Sequence, residues 1–190
     1  MKHLIIYAHP NDTSINHSLK ETVVQTLSVA GHEVVVRDLY ALNFNPVLSL
    51  EDMKGQRAGT VSEDVKTEQN YISWADAITF IHPIWWTGLP AIMKGYIDRV
   101  MSYNFAYSYD TGIQLGLLKD KQAYIINTHG KTHAEYKANG LGPAIALMAD
   151  IGMYTYCGFE IKQHFFFDGA DRADAEKIEH WQQEIIRAYN

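Results

Sequence analysis

Short apolar runs alternate along the chain with stretches in which apolar residues recur at helical spacing. The runs are rich in branched residues and predict buried parallel strands. They lie at Leu4–Ala8, Glu33–Leu39, Ala77–Ile81, Ala123–Ile126 and Glu160–Phe167. The first predicted helix has one apolar face and ends at Gly31; that face carries Leu19, Val23, Val24, Leu27 and Ala30. The other helices are predicted over about Ser62–Trp74, Leu89–Met101, Pro143–Tyr154 and Arg172–Tyr189.

The alternation of five strands with helices determines the fold class that the sequence predicts. Right-handed crossovers between such strands give a doubly wound α/β domain with helices on both faces of a parallel sheet. We expect five strands in the order 2-1-3-4-5 and a single domain over residues 1–190. Residues 40–60 are predicted to be irregular, and the segment Tyr103–Lys121 to be an extra loop or hairpin.

Composition and charge narrow the classes of partner. Hydrophobic residues make up 47% of the chain and charged residues 20%, which is ordinary for a globular protein. The net charge of −6 disfavours a nucleic acid or an anionic membrane surface. No apolar run reaches the roughly 18 residues of a membrane helix, and the amino terminus does not have the layout of a signal peptide. We therefore expect a cytoplasmic protein without membrane insertion, in which the single cysteine, Cys157, is a small buried apolar residue.

Ligands of an open doubly wound sheet bind beyond the carboxyl ends of its strands, where the strand order reverses. For the predicted order this point lies between strands one and three. The loops that follow these strands are His9–Ser14 and His82–Gly88, and the loop Asn127–Ala134 lies beside them. These segments combine polar and aromatic residues, so a ligand site is predicted where they meet.

The first of these loops has chemistry suited to a phosphate. It has neither the glycine-rich dinucleotide fingerprint nor the P-loop pattern. Hydroxyl and amide side chains crowd a helix amino terminus instead, at Thr13, Ser14, Asn16 and Ser18. Unpaired N–H groups and the helix dipole attract an anion there, and His9 can add a donor. The alternative is that Thr13 or Ser14 is an ordinary helix cap.

The other two loops offer flat and small groups. Trp85 and Trp86 are adjacent, so in extended chain one could face a ligand while the other packs away; core packing of the pair is the alternative. The segment Asn127–Gly130 brings polar groups to close backbone range. His129 and His133 have helical metal-ligand spacing, but a third ligand is not evident, so no metal site is predicted. His3, His17, His32, His164 and His180 are expected to be surface or hydrogen-bonded core residues.

At these loops the sequence resembles the flavodoxin-like NAD(P)H:quinone oxidoreductases of the DT-diaphorase type. The resemblance runs nearly end to end. It rests on five segments in the same order: Ser14–Asn16 with His9, Asn43–Val47, Pro83–Gly95, Phe105–Tyr109 and Tyr156–Phe159. The stretch Pro83–Gly95, which resembles the isoalloxazine loop and its helix, is the most specific of them.

The resemblance implies a flavin-dependent enzyme that transfers hydride from NAD(P)H to a quinone-like acceptor in two-electron ping-pong steps. It implies a homodimer with flavin sites at the interface, and it assigns residue roles. The phosphate would be held by His9, Ser14, Ile15 and Asn16, and the ring by Pro83, Ile84, Trp85, Trp86, Thr87, Asn127, Thr128 and Gly130. Tyr136 matches the family's active-site tyrosine, and Tyr107 with Tyr109 would line the acceptor pocket.

The sequence departs from the family pattern at three places. Asn127-Thr128-His129-Gly130 stands where the family has Thr-Thr-Gly-Gly, and the histidine that assists the family's tyrosine falls at Gly142. His129 or His133 could take over that role, and His129 is our candidate. The chain is also shorter than DT-diaphorase, which favours FMN slightly over FAD. The alternatives are a flavodoxin-type electron carrier, or an ancillary subunit of a potassium-efflux system, as some short bacterial relatives are.

Overall fold

Seven strands and seven α-helices make up the regular structure of the computed structural model, which describes residues 1–110 and 112–190. The strands are β1 Lys2–Tyr7, β2 Glu33–Asp38, β3 Ala77–Pro83, β4 Tyr107–Ser108, β5 Leu115–Gly116, β6 Gln122–His129 and β7 Glu160–Asp168. The helices are α1 Ile15–Val29, α2 Leu50–Ala58, α3 Glu63–Trp74, α4 Ala91–Val100, α5 His133–Ala138, α6 Leu141–Ala146 and α7 Ala175–Tyr189. A π-helix, Leu147–Thr155, continues α6, and a 3₁₀ turn, Ala170–Arg172, precedes α7.

The central sheet has the order β2-β1-β3-β6-β7, and every neighbouring pair is parallel. This is the predicted 2-1-3-4-5 order, so the predicted fold class is confirmed. The short strands β4 and β5 pair with each other antiparallel, which makes the predicted insertion a hairpin. Among the described residues no helix is both long and apolar enough to cross a membrane.

Two apolar layers hold helices against the sheet, because successive side chains of a strand point to opposite faces. From β1, Leu4 and Ile6 pack towards α3 and α4, whereas Ile5 and Tyr7 pack towards α1 and α7. All four side chains are buried. Burial of one such side chain contributes about 1.5 to 3 kcal/mol. The alternation of side chains along the strand therefore determines which helices cover which face of the sheet. The helices cover the two faces, so the carboxyl ends of the strands remain open to a ligand.

The helix α2 corrects the prediction that residues 40–60 are irregular. Ser49 caps it, accepting from the Asp52 amide at 3.0 Å, while the Asp52 carboxylate accepts from the Ser49 amide at 2.9 Å. The helix buries none of its side chains. It therefore has no apolar stripe for periodicity to detect, and its capping box is the signal that predicts it.

Other boundaries differ near the carboxyl ends of the later strands. Asn127, Thr128 and His129 belong to β6 rather than to a loop, because they continue its pairing with β7. The helix α5 was not predicted, since it is only six residues long. The predicted helix Pro143–Tyr154 begins at Leu141 as α6 and continues as the π-helix. The predicted helix Arg172–Tyr189 begins at Ala175, where Asp174 caps it.

Candidate active site

The carboxyl ends of β1, β3 and β6 close around a pocket of about 250 Å³. The pocket lies at the predicted point, where the strand order reverses. Ten residues named from the sequence line it: His9, Ser14, Ile15, Asn16, Pro83, Ile84, Trp85, Thr128, His129 and Gly130. Ala170 and Asp171 of the 3₁₀ turn complete the wall, and sequence reasoning did not single them out. We call this hollow the switch-point pocket.

The first wall of the switch-point pocket is the amino terminus of α1. Ser14 caps the helix, since its Oγ accepts from the amide of His17 at 3.2 Å. The amides of Ile15 and Asn16 belong to the first turn, where helices leave N–H groups without intrahelical partners. His9 Nδ1 lies 3.1 Å from the amide nitrogen and 3.2 Å from the carbonyl oxygen of Asn11, and the His9 ring lines the pocket. These donors suit an anionic group.

The Asn16 side chain is buried, and only one of its two polar atoms has a hydrogen-bond partner in the described chain. Its Nδ2 donates to Thr128 Oγ1 at 2.8 Å, which joins α1 to the end of β6. Its Oδ1 is buried and has no hydrogen-bond partner among the described residues. A buried acceptor without a donor is costly, on the order of 1 to 3 kcal/mol. The orphaned atom therefore indicates that a ligand with a donor belongs here.

The second wall is a tight turn after β3. Trp85 and Gly88 exchange two backbone hydrogen bonds of 3.0 Å. Between them, Trp86 has φ of 51° and Thr87 has φ of 60°, a left-handed pair that favours Asn-Gly sequences. Trp86 is fully exposed, and Trp85 is 42% exposed. The alternative that the tryptophans pack into the core is wrong, because this turn carries both side chains away from the sheet.

His129 forms the third wall, and it contacts Tyr136, which lines a neighbouring hollow of about 530 Å³ rather than the switch-point pocket itself. Their rings stack with centroids 4.6 Å apart and planes 15° from parallel. Both ring nitrogens of His129 are buried without a hydrogen-bond partner in the described chain. Burial lowers the pKa of His129 and raises the pKa of Tyr136. At neutral pH the stack is therefore an uncharged imidazole on a protonated phenol, next to the switch-point pocket.

A short capping box places Tyr136. Thr132 Oγ1 accepts from the Glu135 amide at 3.2 Å, and the Glu135 carboxylate accepts from the Thr132 amide at 2.9 Å. This starts α5 directly after the strand, so that Tyr136 lies one turn inside it. Tyr136 packs with Ile84 and Ile145, which brings it to the β3 loop. No histidine stands at Gly142, and His129 takes the position against the tyrosine ring.

A larger cavity of about 490 Å³ adjoins the switch-point pocket at Ile84. Its wall includes Thr87 from the turn, Asn127 from β6 and His82 from β3. Burial lowers the pKa of His82 to about 4, so the ring is neutral at neutral pH. The π-helix forms the opposite side through Met148, Ala149, Gly152, Met153 and Tyr154. Thus the cavity has a polar floor at the strand ends and an apolar flank.

The chain does not bring Tyr107 and Tyr109 to either cavity. Tyr107 lines a separate hollow of about 340 Å³, between α4 and the end of the π-helix. The Tyr109 hydroxyl hydrogen-bonds the Tyr156 hydroxyl at 2.7 Å. Within one chain, the predicted acceptor-lining residues are therefore apart from the other site residues.

Two buried histidines carry polar contacts that the sequence did not reveal. His82 precedes the tryptophan turn, and His164 bonds both Asp150 and Asn127. Their apolar neighbours make them resemble core residues in the sequence, and only the strand register shows that they meet. His3 is a buried core residue whose Nε2 lies 2.9 Å from His32 Nδ1, as predicted, although its Nδ1 is buried without a partner in the described chain.

The fold is that of the flavodoxin-like class. The chain belongs to this family, since a family model described as having the flavodoxin-like fold matches residues 1–188. A relative from Haemophilus influenzae, described as an uncharacterized NAD(P)H oxidoreductase, is 42% identical over 84% of this chain and 80% of its own. NAD(P)H dehydrogenase [quinone] 1 of Rattus norvegicus is 32% identical over 96% of this chain and 75% of its own.

A solved structure supports the same relationship. The NAD(P)H:quinone oxidoreductase of Methanothermobacter marburgensis superposes with a TM-score of 0.88 and 30% identity, covering 100% of this chain and 97% of that one. The resemblance to the NAD(P)H:quinone oxidoreductases is thereby confirmed, as is the expected class of enzyme, an oxidoreductase. These relatives favour the enzyme over the electron carrier.

Proposed function

We propose that this chain is a flavin-dependent NAD(P)H oxidoreductase that reduces quinones or similar small acceptors. The carrying observation is the switch-point pocket, where a helix amino terminus, an aromatic turn and His129, which stacks on Tyr136 behind it, meet around buried polar atoms without partners in the described chain. A flavin is a phosphorylated planar ring with polar edges, and those orphaned atoms fit its mixture of donors and acceptors. A bound flavin supplies two-electron transfer between nicotinamide and acceptor.

The residues that would hold the phosphate are His9, Ser14, Ile15 and Asn16. The α1 amino terminus supplies N–H groups and a favourable dipole, and the His9 ring adds a polar group beside them. Ser14 stabilises the helix start itself, so its loss would weaken both the helix and the anion site.

The residues that would hold the ring are Pro83, Ile84, Trp85, Trp86 and Thr87 on one side, with Asn127, Thr128 and Gly130 on the other. Trp85 packs edge-on against His9, with ring centroids 5.8 Å apart, which joins the phosphate end to the ring end. Ile84 donates its amide to the Thr128 carbonyl at 2.8 Å and fixes the two sides together. The walls are thereby preorganised before a ligand enters.

Tyr136 and His129 are the proposed catalytic pair. A phenol is protonated at neutral pH, and burial raises the pKa of Tyr136 further. The Tyr136 hydroxyl could therefore donate a hydrogen bond to negative charge that develops within its reach, which is electrostatic stabilisation by a fixed donor. His129 orients that phenol by stacking, and its own unpartnered nitrogens can donate or accept at the pocket wall.

FMN is the proposed flavin rather than FAD. Asp171 lines the small switch-point pocket beside Gly130. Its carboxylate disfavours the second phosphate of FAD within this pocket. Mass spectrometry of the cofactor released from purified protein tests this directly. Release of FAD would refute the assignment of FMN without affecting the flavin site.

A homodimer is the proposed assembly. Apolar side chains on the π-helix segment are strongly exposed beside the 490 Å³ cavity, at Leu147, Met148 and Ile151, and Trp86 is exposed near them in the turn. Such a patch marks an interaction site. In this assembly the partner subunit would supply Tyr107 and Tyr109 to the acceptor pocket, which accounts for their distance from the rest of the site within one chain. Light scattering at low micromolar concentration measures the mass; a monomer would refute the proposal.

The activity is tested by mixing flavin-loaded protein with NADH or NADPH in a stopped-flow instrument and following the flavin absorbance. We expect bleaching, and we expect Tyr136→Phe to slow it about ten- to a hundredfold, on the scale of one lost donor. Tyr71→Phe is the matched control, because Tyr71 on α3 contacts Arg37 rather than the pocket. If NADH and NADPH do not bleach the flavin of the loaded wild-type protein, the carrier function replaces the enzyme. If the wild type is bleached and Tyr136→Phe is bleached at the same rate, Tyr136 has no role in this step.

A further inference from the structure

A chain of hydrogen-bonded polar side chains runs behind the cavity wall, from the π-helix to the end of β3. His164 of β7 places Nδ1 at 2.6 Å from Asp150 Oδ1 and Nε2 at 2.9 Å from Asn127 Oδ1. Asn127 in turn directs its Nδ2 to the backbone carbonyl of His82 at 3.1 Å and to His82 Nε2 at 3.2 Å. Asn127 and His82 both face the 490 Å³ cavity.

The donors and acceptors in this chain set the protonation that it needs. The His82 carbonyl can only accept, so Asn127 must point its amide nitrogen there and its oxygen at His164. A carboxylate also only accepts. Both nitrogens of His164 therefore face acceptors, and only the imidazolium form satisfies them together. A neutral imidazole keeps one proton, and Asp150 competes with Asn127 for it.

Two effects act in opposite directions on the pKa of His164. Burial lowers the pKa of His164 below its ordinary value, and the Asp150 carboxylate opposes this effect without reversing it. His82 approaches from β3, and across the hollow beside β7 stand His129, His133, Tyr136 and Lys137. Phe166 covers the ring face, with centroids 3.9 Å apart. Asp150 is thus the single carboxylate bonded to the ring in the described structure, and its removal is the informative perturbation.

We propose that His164 is a positioning residue whose proton sets the orientation of the Asn127 amide at the cavity wall. With the proton on Nε2, His164 donates to Asn127 Oδ1 and holds the amide nitrogen on His82. When that proton leaves to solvent, Nδ1–H stays with Asp150 and Nε2 becomes an acceptor. Asn127 Oδ1 then faces a lone pair, so the amide turns over and donates to His164 at the expense of its bond to the His82 carbonyl. The consequence for catalysis rests on the proposed flavin site, whereas the coupling of the two side chains does not.

The coupling is tested by NMR of the purified, ¹⁵N-labelled full chain between pH 4.5 and 8. We expect the side-chain amide of Asn127 to move with the same midpoint as the ring nitrogens of His164. Asp150→Asn should lower that midpoint by about one to three pH units, the usual effect of an adjacent opposite charge. Asp150→Glu should largely restore it. Asp120→Asn is the control, since the Asp120 side chain is exposed and pairs with Lys121.

Three results would overturn the proposal: an Asn127 amide that stays fixed while His164 titrates, a midpoint that Asp150→Asn leaves unchanged, or a ring that stays neutral down to pH 4.5. The fold is not at stake, because Asp150 is partly exposed on the π-helix. If the chain fails to bind flavin, the proposed function fails but the NMR coupling is judged on its own. In loaded protein, the pH profile of the reduction rate should move in Asp150→Asn by the amount that the NMR midpoint moves.

Discussion

His3 lies at the end of the sheet opposite the candidate site, and it makes acid stability a measurable consequence of the fold. Its ring is buried and stacks on His32, with His3 Nε2 2.9 Å from His32 Nδ1. Burial, followed by His32 and the amino terminus, lowers the pKa of His3 to about 4, against a raising effect of Asp76. The folded protein therefore holds His3 neutral at a pH where the unfolded chain would protonate it.

The sign and size of the effect follow from linkage. Between the unfolded pKa of 6.5 and the folded value of about 4, the unfolded state binds more protons, so stability falls as the pH falls through this window. Each pH unit of difference corresponds to about 1.4 kcal/mol, which sets a limit of about 3 kcal/mol. Going only from pH 7 to pH 5, and allowing for solvent screening, we expect about 1 to 2 kcal/mol from His3.

The assay is urea unfolding followed by tryptophan fluorescence, at pH 7 and pH 5 and at fixed protein and flavin concentrations. His3→Gln should lose about 1 to 2 kcal/mol less stability between the two pH values than the wild type does, whatever its stability at pH 7. His180→Gln is the matched control, because it removes a solvent-exposed histidine. An identical pH dependence in His3→Gln and the wild type would refute the reasoning.

Two further substitutions test the packing that supports the site. Arg99→Met removes a buried guanidinium that bonds Asp64 at 2.6 Å and Asp52 at 3.2 Å. It should lower the free energy of unfolding in urea by about 3 to 5 kcal/mol, since it leaves carboxylates unpaired. A decrease below about 1 kcal/mol would contradict this. Gly95→Ala should lower the free energy of unfolding by about 1 to 3 kcal/mol, because the added methyl group collides with the backbone of Pro46. An unchanged melting temperature would show that the Pro46 segment moves aside without a cost in stability.

Sequence patterns predicted the sheet well because its central strands β1, β3 and β6 are buried on both faces. Residues such as Leu4 to Ala8 form uninterrupted apolar runs, and each run became a strand in the predicted order. The helices α2 and α5 were missed for a physical reason: capping boxes at Ser49 and Thr132 start them, whereas burial contributes little. Periodicity detects burial, so elements held by end contacts escape it.

The parts of the site that one short stretch of sequence forms could be predicted. The parts that depend on how neighbouring strands pair could not. The helix start at Ser14 and the turn at Trp85 are recognisable in the sequence and line the same pocket. The partnership of His164 with Asp150 and Asn127 joins three separate segments. Only pairing of β6 with β7 brings them together, and no single stretch of sequence contains that information.

The left-handed turn at Trp86 and Thr87 has a thermodynamic consequence. Residues with a Cβ in this conformation each cost about 1 to 2 kcal/mol relative to glycine. Replacing the pair by Asn-Gly would make the isolated fold more robust but would remove an indole that already stands wholly in water. The chain thus gives up folding stability at this corner to present an aromatic surface, which makes sense only if something else comes to lie against it.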